Sequence, residues 1–179
     1  MSSDVIPPGK PVSASMVDNH VYKIFPNDLN AHYTVFGGLV MAICDRIALV
    51  VAERHAGSVC VTASVDSVHF MAPAKDGETL IVKAACNRAW TSSMEIGVKV
   101  LAENSFKGEH RHIVSAYLTF VGVAADGTPV KVPPLLVDTP DEKRRYEEAQ
   151  FRRNARLANV EQLRIMRGER PARTPRSAE

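Results

Sequence analysis

One carboxylate interrupts an otherwise apolar face in the segment GLVMAICDRIALVVAERHAG (38–57). At about 3.6 residues per helical turn, Gly38, Met41, Ala42, Asp45, Leu49 and Ala52 share a side, and only Asp45 among them is charged. A carboxylate in apolar surroundings needs donors or a charge partner. Arg46 is adjacent but projects about 100 degrees away, and no other charged side chain falls between Asp28 and Glu53. Asp45 is therefore either a structural carboxylate, bonded to backbone or Ser/Thr groups of a surrounding sheet, or a catalytic group. Gly37 and Gly38 let a ligand approach the backbone, where the N–H groups of a first helical turn favour a carbonyl, thioester or phosphate oxygen. Water attack on such a carbonyl would generate an oxyanion that those donors stabilise. The glycines match neither a Walker motif nor a GxGxxG turn in its strand-helix-strand context.

Asn30 carries an amide that donates and accepts, suited to holding a water or orienting a scissile group but not to removing a proton. Asp28 and Asn30 also suit an Asx-rich turn, and Asn87 with Thr91, Ser92 and Ser93 suits an ordinary loop between strands. Brought together, these loops would rim apolar faces able to receive an acyl chain. His110 and His112 share a strand face with no further ligand nearby, so a solvated face is expected and no metal site. His32 and His69 are conceivable acid–base groups, but neither a Ser-His-Asp nor a Cys-His arrangement stands out. Cys44, Cys60 and Cys86, without a CxxC pair, read as reduced, buried hydrophobes.

The elements that must position these groups follow from periodicity. A short strand is expected from Val21 to Phe25, ended by Pro26, and a helix from about Gly38 to Arg54, apolar nearly all round and so buried on most sides. Strands follow around Val59 to Phe70, with a phase change that a bulge would allow, then Thr79 to Cys86, Met94 to Ala102 and Arg111 to Val123. Thr139, Pro140 and Glu142 form a helix start, with the helix running to about Arg156 and a second stretch near Glu161 to Met166. The expected organisation is a loose arm over 1–20, one folded unit over 21–135, a helical extension over 136–168 and a disordered basic tail over 169–179.

The chain has 179 residues, 45% of them apolar, which suits one domain with a sizeable core. Its net charge of +2 divides unevenly: residues 141–179 hold 11 basic and 7 acidic side chains, leaving 11 against 13 in the rest. A strongly basic nucleic-acid-binding body is excluded, and no apolar run approaches the roughly 20 residues that span a bilayer. A cytoplasmic protein is the expectation, since the N-terminal twenty residues lack the pattern of a secretory signal.

Order and residues together resemble the hotdog-fold acyl-CoA thioesterases, specifically the broad-range acyl-CoA hydrolases. The resemblance rests on PNDLNAHYTVFGGLVMAICD (26–45), VTASVDSVHFMAP (61–73), TSSMEIGVKV (91–100), AYLTFVGVAADGTPVKVPPL (116–135) and TPDEKRRYEEA from Thr139. It implies an α+β single hotdog fold, an antiparallel β-sheet wrapped around a long central α-helix. It also implies a homodimer joining two sheets as the minimum unit, in a hexamer built as a trimer of dimers. The activity implied is hydrolysis of acyl-CoA without metal or other cofactor, CoA being part of the substrate. By the same resemblance Asp45 is the catalytic carboxylate, as base or nucleophile; Asn30 orients thioester or water; Gly37 and Gly38 meet the carbonyl; Thr62, Thr91, Ser92 and Ser93 support the site or contact CoA. Asn30 of one subunit and Asp45 of the other would complete one site.

Two positions depart from the family pattern: Tyr33 and Trp90 stand where glycine is usual. Both loops should border the cleft, so the rings are expected to reshape the acyl or CoA channel, with compensated packing as the alternative. A noncatalytic acyl-CoA sensor would keep the cleft without turnover. A hotdog enoyl-CoA hydratase would need a histidine near Asp45, for which His32 is a weak candidate.

Overall fold

In the computed structural model, which describes residues 7–169, a two-residue strand β1 (Lys10–Pro11) leads into β2 (Val17–Lys23) and then the helix α1 (Gly37–Ala56). β3 (Val59–Phe70), β4 (Thr79–Ala89), β5 (Ser93–Asn104) and β6 (Glu109–Val123) follow, before β7 (Leu135–Leu136) returns to pair in parallel with β1. The long strands form one antiparallel sheet in the order β2-β4-β5-β6-β3. Register shifts in β3 between Thr62 and Ser64 and between Val65 and Ser67 match the phase change in its sequence. Val40, Cys44, Ala48 and Val51 of α1 pack onto Val82, Ile96 and Leu118 of the sheet. Full burial of a Val, Ile or Leu side chain contributes roughly 1.5–3 kcal/mol.

Gly57 ends α1 at φ +69, a left-handed cap whose N–H donates to Glu53 O at 2.8 Å. Lys10 Nζ donates to Arg54 O at 3.0 Å, and fully buried His55 holds Nε2 2.9 Å from Pro133 O. The helix end is thereby fastened to the β1 and β7 segments.

On the other side of the sheet lies a second helix, α2 (Pro140–Met166). Thr139 Oγ1 accepts the Glu142 N–H and the Glu142 carboxylate accepts the Thr139 N–H, the reciprocal cap expected from sequence. The Arg88 guanidinium of β4 stacks on Tyr146 at 3.9 Å. Arg152 donates twice to buried Glu95 of β5, at 2.7 and 3.0 Å, and stacks on Tyr117 of β6 at 3.8 Å. Arg156 reaches Asp66 of β3 at 3.0 Å. From Tyr146 to Arg156 the helix rises about 15 Å, close to the roughly 14 Å of three strand spacings, so α2 crosses β4, β5, β6 and β3 in turn.

Four expectations need correction. The arm expected over 1–20 contains β1 and the start of β2, which begins at Val17; its first six residues lie outside the described residues, as do 170–179 of the tail. The folded unit and the extension do not divide at 135/136, because β7 spans that boundary and pairs with β1. α2 is unbroken after Arg156, where the sequence LANVEQLRI holds no Gly or Pro to interrupt it. The fourth concerns the exposed positions of α1: besides Arg46, Glu53 and Arg54, Met41 is 46% and Val50 36% exposed, about 180 degrees apart around the helix.

Candidate active site

After β2 the chain makes one tight helical turn over Pro26–Asp28. The buried Asp28 carboxylate accepts the Phe25 N–H at 2.9 Å and the Tyr22 hydroxyl at 3.0 Å, while its carbonyl accepts the Phe36 N–H at 2.9 Å. Asp28 therefore fastens the end of β2 to the entry of α1. Within this loop Asn30 Oδ1 accepts the N–H groups of His32 (2.8 Å) and Thr34 (3.3 Å), and Nδ2 donates to Thr34 Oγ1 at 3.0 Å. The Asx-type closure holds the amide rigidly. It also holds Tyr33 at φ +56, where a Cβ is strained, with the side chain exposed.

Phe36 precedes α1 without a side-chain cap, and the N–H groups of Leu39 and Val40 turn back to Phe36 O at 3.0 and 3.3 Å. Gly37 and Gly38 supply the N–H groups ahead of that register, at the positive end of the helix. A Cβ on Gly38 would overlap the Phe36 ring, and one on Gly37 would meet Phe70 at 3.4 Å. Asn30, Thr34 and Gly37 edge a cleft of about 450 Å³ floored by Val40, Phe70 and Val114. Polar groups at its rim and apolar walls below suit a ligand with a polar junction and a hydrocarbon arm.

Asp45 lies eight residues beyond Gly37, about 12 Å along the helix axis. Its half-buried carboxylate accepts the Thr62 hydroxyl of β3 at 2.8 Å and is not part of the cleft wall. One chain thus brings Asn30 and Gly37 together, and Asp45 and Thr62 together, but not the two pairs. Beside the second pair, α1 exposes Met41 and β3 exposes Val61 and Val65.

Trp90 lies elsewhere in the single chain. Its indole N–H donates to Gln150 Oε1 of α2 at 3.0 Å and Arg153 stacks on the ring at 4.3 Å. Ser93 Oγ accepts from Arg153 at 3.2 Å, while the carbonyls of Thr91 and Ser92 accept the N–H groups of Val132 and Gly122. His32 is exposed and contributes its backbone N–H to Asn30; His112 Nε2 sits 3.0 Å from Val114 O. Among the described residues no group of three or more His, Cys, Asp and Glu is placed to hold a metal ion. Burial pushes the Cys44 thiol up to about 12, with Asp45 adding to it, and Cys60 to about 11, with Glu53 adding to it, and it raises Cys86 too; all three are free. Thr34, Phe70 and Val114 were not singled out from sequence; the Thr34 hydroxyl four residues after Asn30 was the available signal.

An antiparallel sheet around one long helix, with a polar loop at the helix entry and a carboxylate on its flank, is the hotdog arrangement of thioesterases. The family model described as Thioesterase superfamily matches residues 32–107. The uncharacterized acyl-CoA thioester hydrolase YkhA of Bacillus subtilis is 38% identical over 134 residues, covering 75% of this chain and 78% of that protein. The acyl-CoA hydrolase of Staphylococcus aureus, solved with butyryl coenzyme A, coenzyme A and coenzyme A disulfide, is 38% identical with a TM-score of 0.82, covering 89% of this chain and 98% of that one. An apo-hexameric acyl-CoA thioesterase is 36% identical with a TM-score of 0.83, covering 86% and 97%. The chain belongs to the acyl-CoA thioester hydrolase family of the thioesterase superfamily. The S. aureus enzyme has also been solved with an aspartate, a threonine and an asparagine singly replaced by alanine, each numbered two positions before Asp45, Thr62 and Asn30.

Proposed function

We propose that the chain hydrolyses acyl-CoA thioesters to a carboxylic acid and free CoA, with each site shared between two copies. The acyl arm lies on the Val40, Phe70 and Val114 floor, and the thioester oxygen meets the N–H groups of Gly37 and Gly38. Asn30, locked by Thr34, uses its remaining amide hydrogen on the thioester or on water. Asp45 of the second copy, oriented by Thr62, takes a proton from the attacking water, or itself attacks to form a mixed anhydride that water cleaves. Either route leaves the acyl group as the acid and the sulfur as the CoA thiol. Tyr33, Trp90, Thr91, Ser92 and Ser93 are assigned to substrate contacts, the last four beside CoA rather than the acyl arm.

The observation that carries this reading is the meeting of Asn30 and the uncapped α1 start at the mouth of one apolar cleft. The dimer is supported by β3, a twelve-residue edge strand exposing Val59, Val61 and Val65, which a second copy of itself would cover. The hexameric relatives support a trimer of dimers. Three free, buried thiols support a cytoplasmic setting, and among the described residues no helix is long and apolar enough to cross a membrane. Thiol release across short, medium and long acyl-CoAs tests the activity. Turnover lost in Asp45→Asn and reduced in Asn30→Ala is expected. Background rates with intact acyl-CoA binding would favour a sensor, and hydration of enoyl-CoA a hydratase.

A further inference from the structure

α2 is longer than the sheet it crosses. The face that places Ala149, Arg152 and Arg156 on the strands continues at the same angular position through Val160 and Leu163, with Leu157 beside them. These three are 42%, 41% and 52% exposed, since Arg156 already stands over β3, the last strand. Ten further residues to Met166 extend about 15 Å past that edge, the breadth of roughly three more strands. Alongside α2 runs a groove of about 560 Å³ between Ser64 and Ser67 of β3 and Ala155 and Asn159 of the helix.

We infer that the overhanging turns of α2 dock on the outer sheet face of a second copy, in its groove between β3 and α2. The inference rests on the dimer proposed above: if β3 continues into the partner's β3, the overhang has the partner's strands directly beneath it. A two-fold axis through that junction lays the two α2 helices side by side and antiparallel, each filling the groove along the other. Val160 and Leu163 then meet a groove whose wall includes Phe151 and Ala155 instead of open water.

The test uses the full chain with Val160→Asp and Leu163→Asp together, positions whose exposure spares the protomer fold, as circular dichroism checks. Sedimentation should show the dimer dissociation constant raised by about tenfold or more. A photoreactive residue at Val160, the position one strand spacing beyond Arg156, should crosslink to residues 64–67 or 155–159 of a differently labelled copy. An unchanged dissociation constant with no such crosslink overturns the inference and leaves the dimer standing. A hexamer falling to dimers of unchanged affinity also overturns it, assigning the overhang to contacts between dimers. A wild-type chain that is monomeric at micromolar concentration overturns both.

Discussion

Mixing two impaired variants should restore hydrolysis well above what either shows alone. Gly37 and Asp45 are separated by about 12 Å along α1, several times the roughly 3 Å over which a base must reach its proton. If the cleft of one copy uses the carboxylate of the other, a dimer of one Asp45→Ala chain and one Asn30→Ala chain has one doubly defective site and one intact site. Random exchange at equal amounts makes half the dimers mixed, so the mixture should recover about one quarter of wild-type activity. Each parent should lie about 10²- to 10⁴-fold down if its residue carries proton transfer or positioning. Chains are exchanged by mild unfolding and refolding, mixed dimers are counted by mass, and thiol release is followed with one acyl-CoA. Activity equal to the mean of the parents, with mixed dimers demonstrably present, would refute a site shared in this way.

Tyr33→Gly should raise stability by roughly 0.5–1 kcal/mol, relief of the φ +56 strain outweighing the entropy of glycine, and alter acyl-length selectivity; a lowered melting temperature would count against the strain. Arg152→Ala should destabilise by about 3–5 kcal/mol because it strands a carboxylate that is 1% exposed, while Arg152→Met with Glu95→Gln should regain most of that in urea titrations. His55 is held below its ordinary pKa by desolvation, with the nearby Lys10 charge acting the same way against the Pro133 hydrogen bond. The unfolded chain therefore binds the extra proton: the stabilisation is present above about pH 6.5 and lost as pH falls below it, at no more than about 1.4 kcal/mol per unit. His55→Gln should flatten that slope in melts between pH 7.5 and 5.

Periodicity exposed α1 and the four long strands because each buries one face against the other, and Asp45 stood out because its neighbours were apolar. What escaped depends on partners distant in sequence. Glu95 sits between Met94 and Ile96, and its place on the outer face became interpretable only with Arg152, 57 residues later. Asp28 looked like a turn residue; its buried carboxylate joins β2 to the loop, through atoms that spacing does not reveal. The partners of Trp90 are of the same kind, Gln150 and Arg153 of α2, 60 and 63 residues later. The incomplete burial of α1 was likewise invisible, since an all-round apolar helix reads the same whether a sheet or a second chain covers its flank.

The three buried thiols bear on what such an enzyme makes. Hydrolysis of acyl-CoA discharges a small thiol beside the protein at every turnover, and oxidised CoA is a disulfide that any reactive cysteine would attack. Attack requires the thiolate, and burial that pushes the Cys44 thiol up to about 12 keeps it protonated at neutral pH. Cys44, next to Asp45 and 1% exposed, is thus kept from attacking oxidised CoA, an exchange that would leave a protein–CoA mixed disulfide and release one CoA thiol. Preincubation with oxidised CoA should therefore leave the activity unmodified.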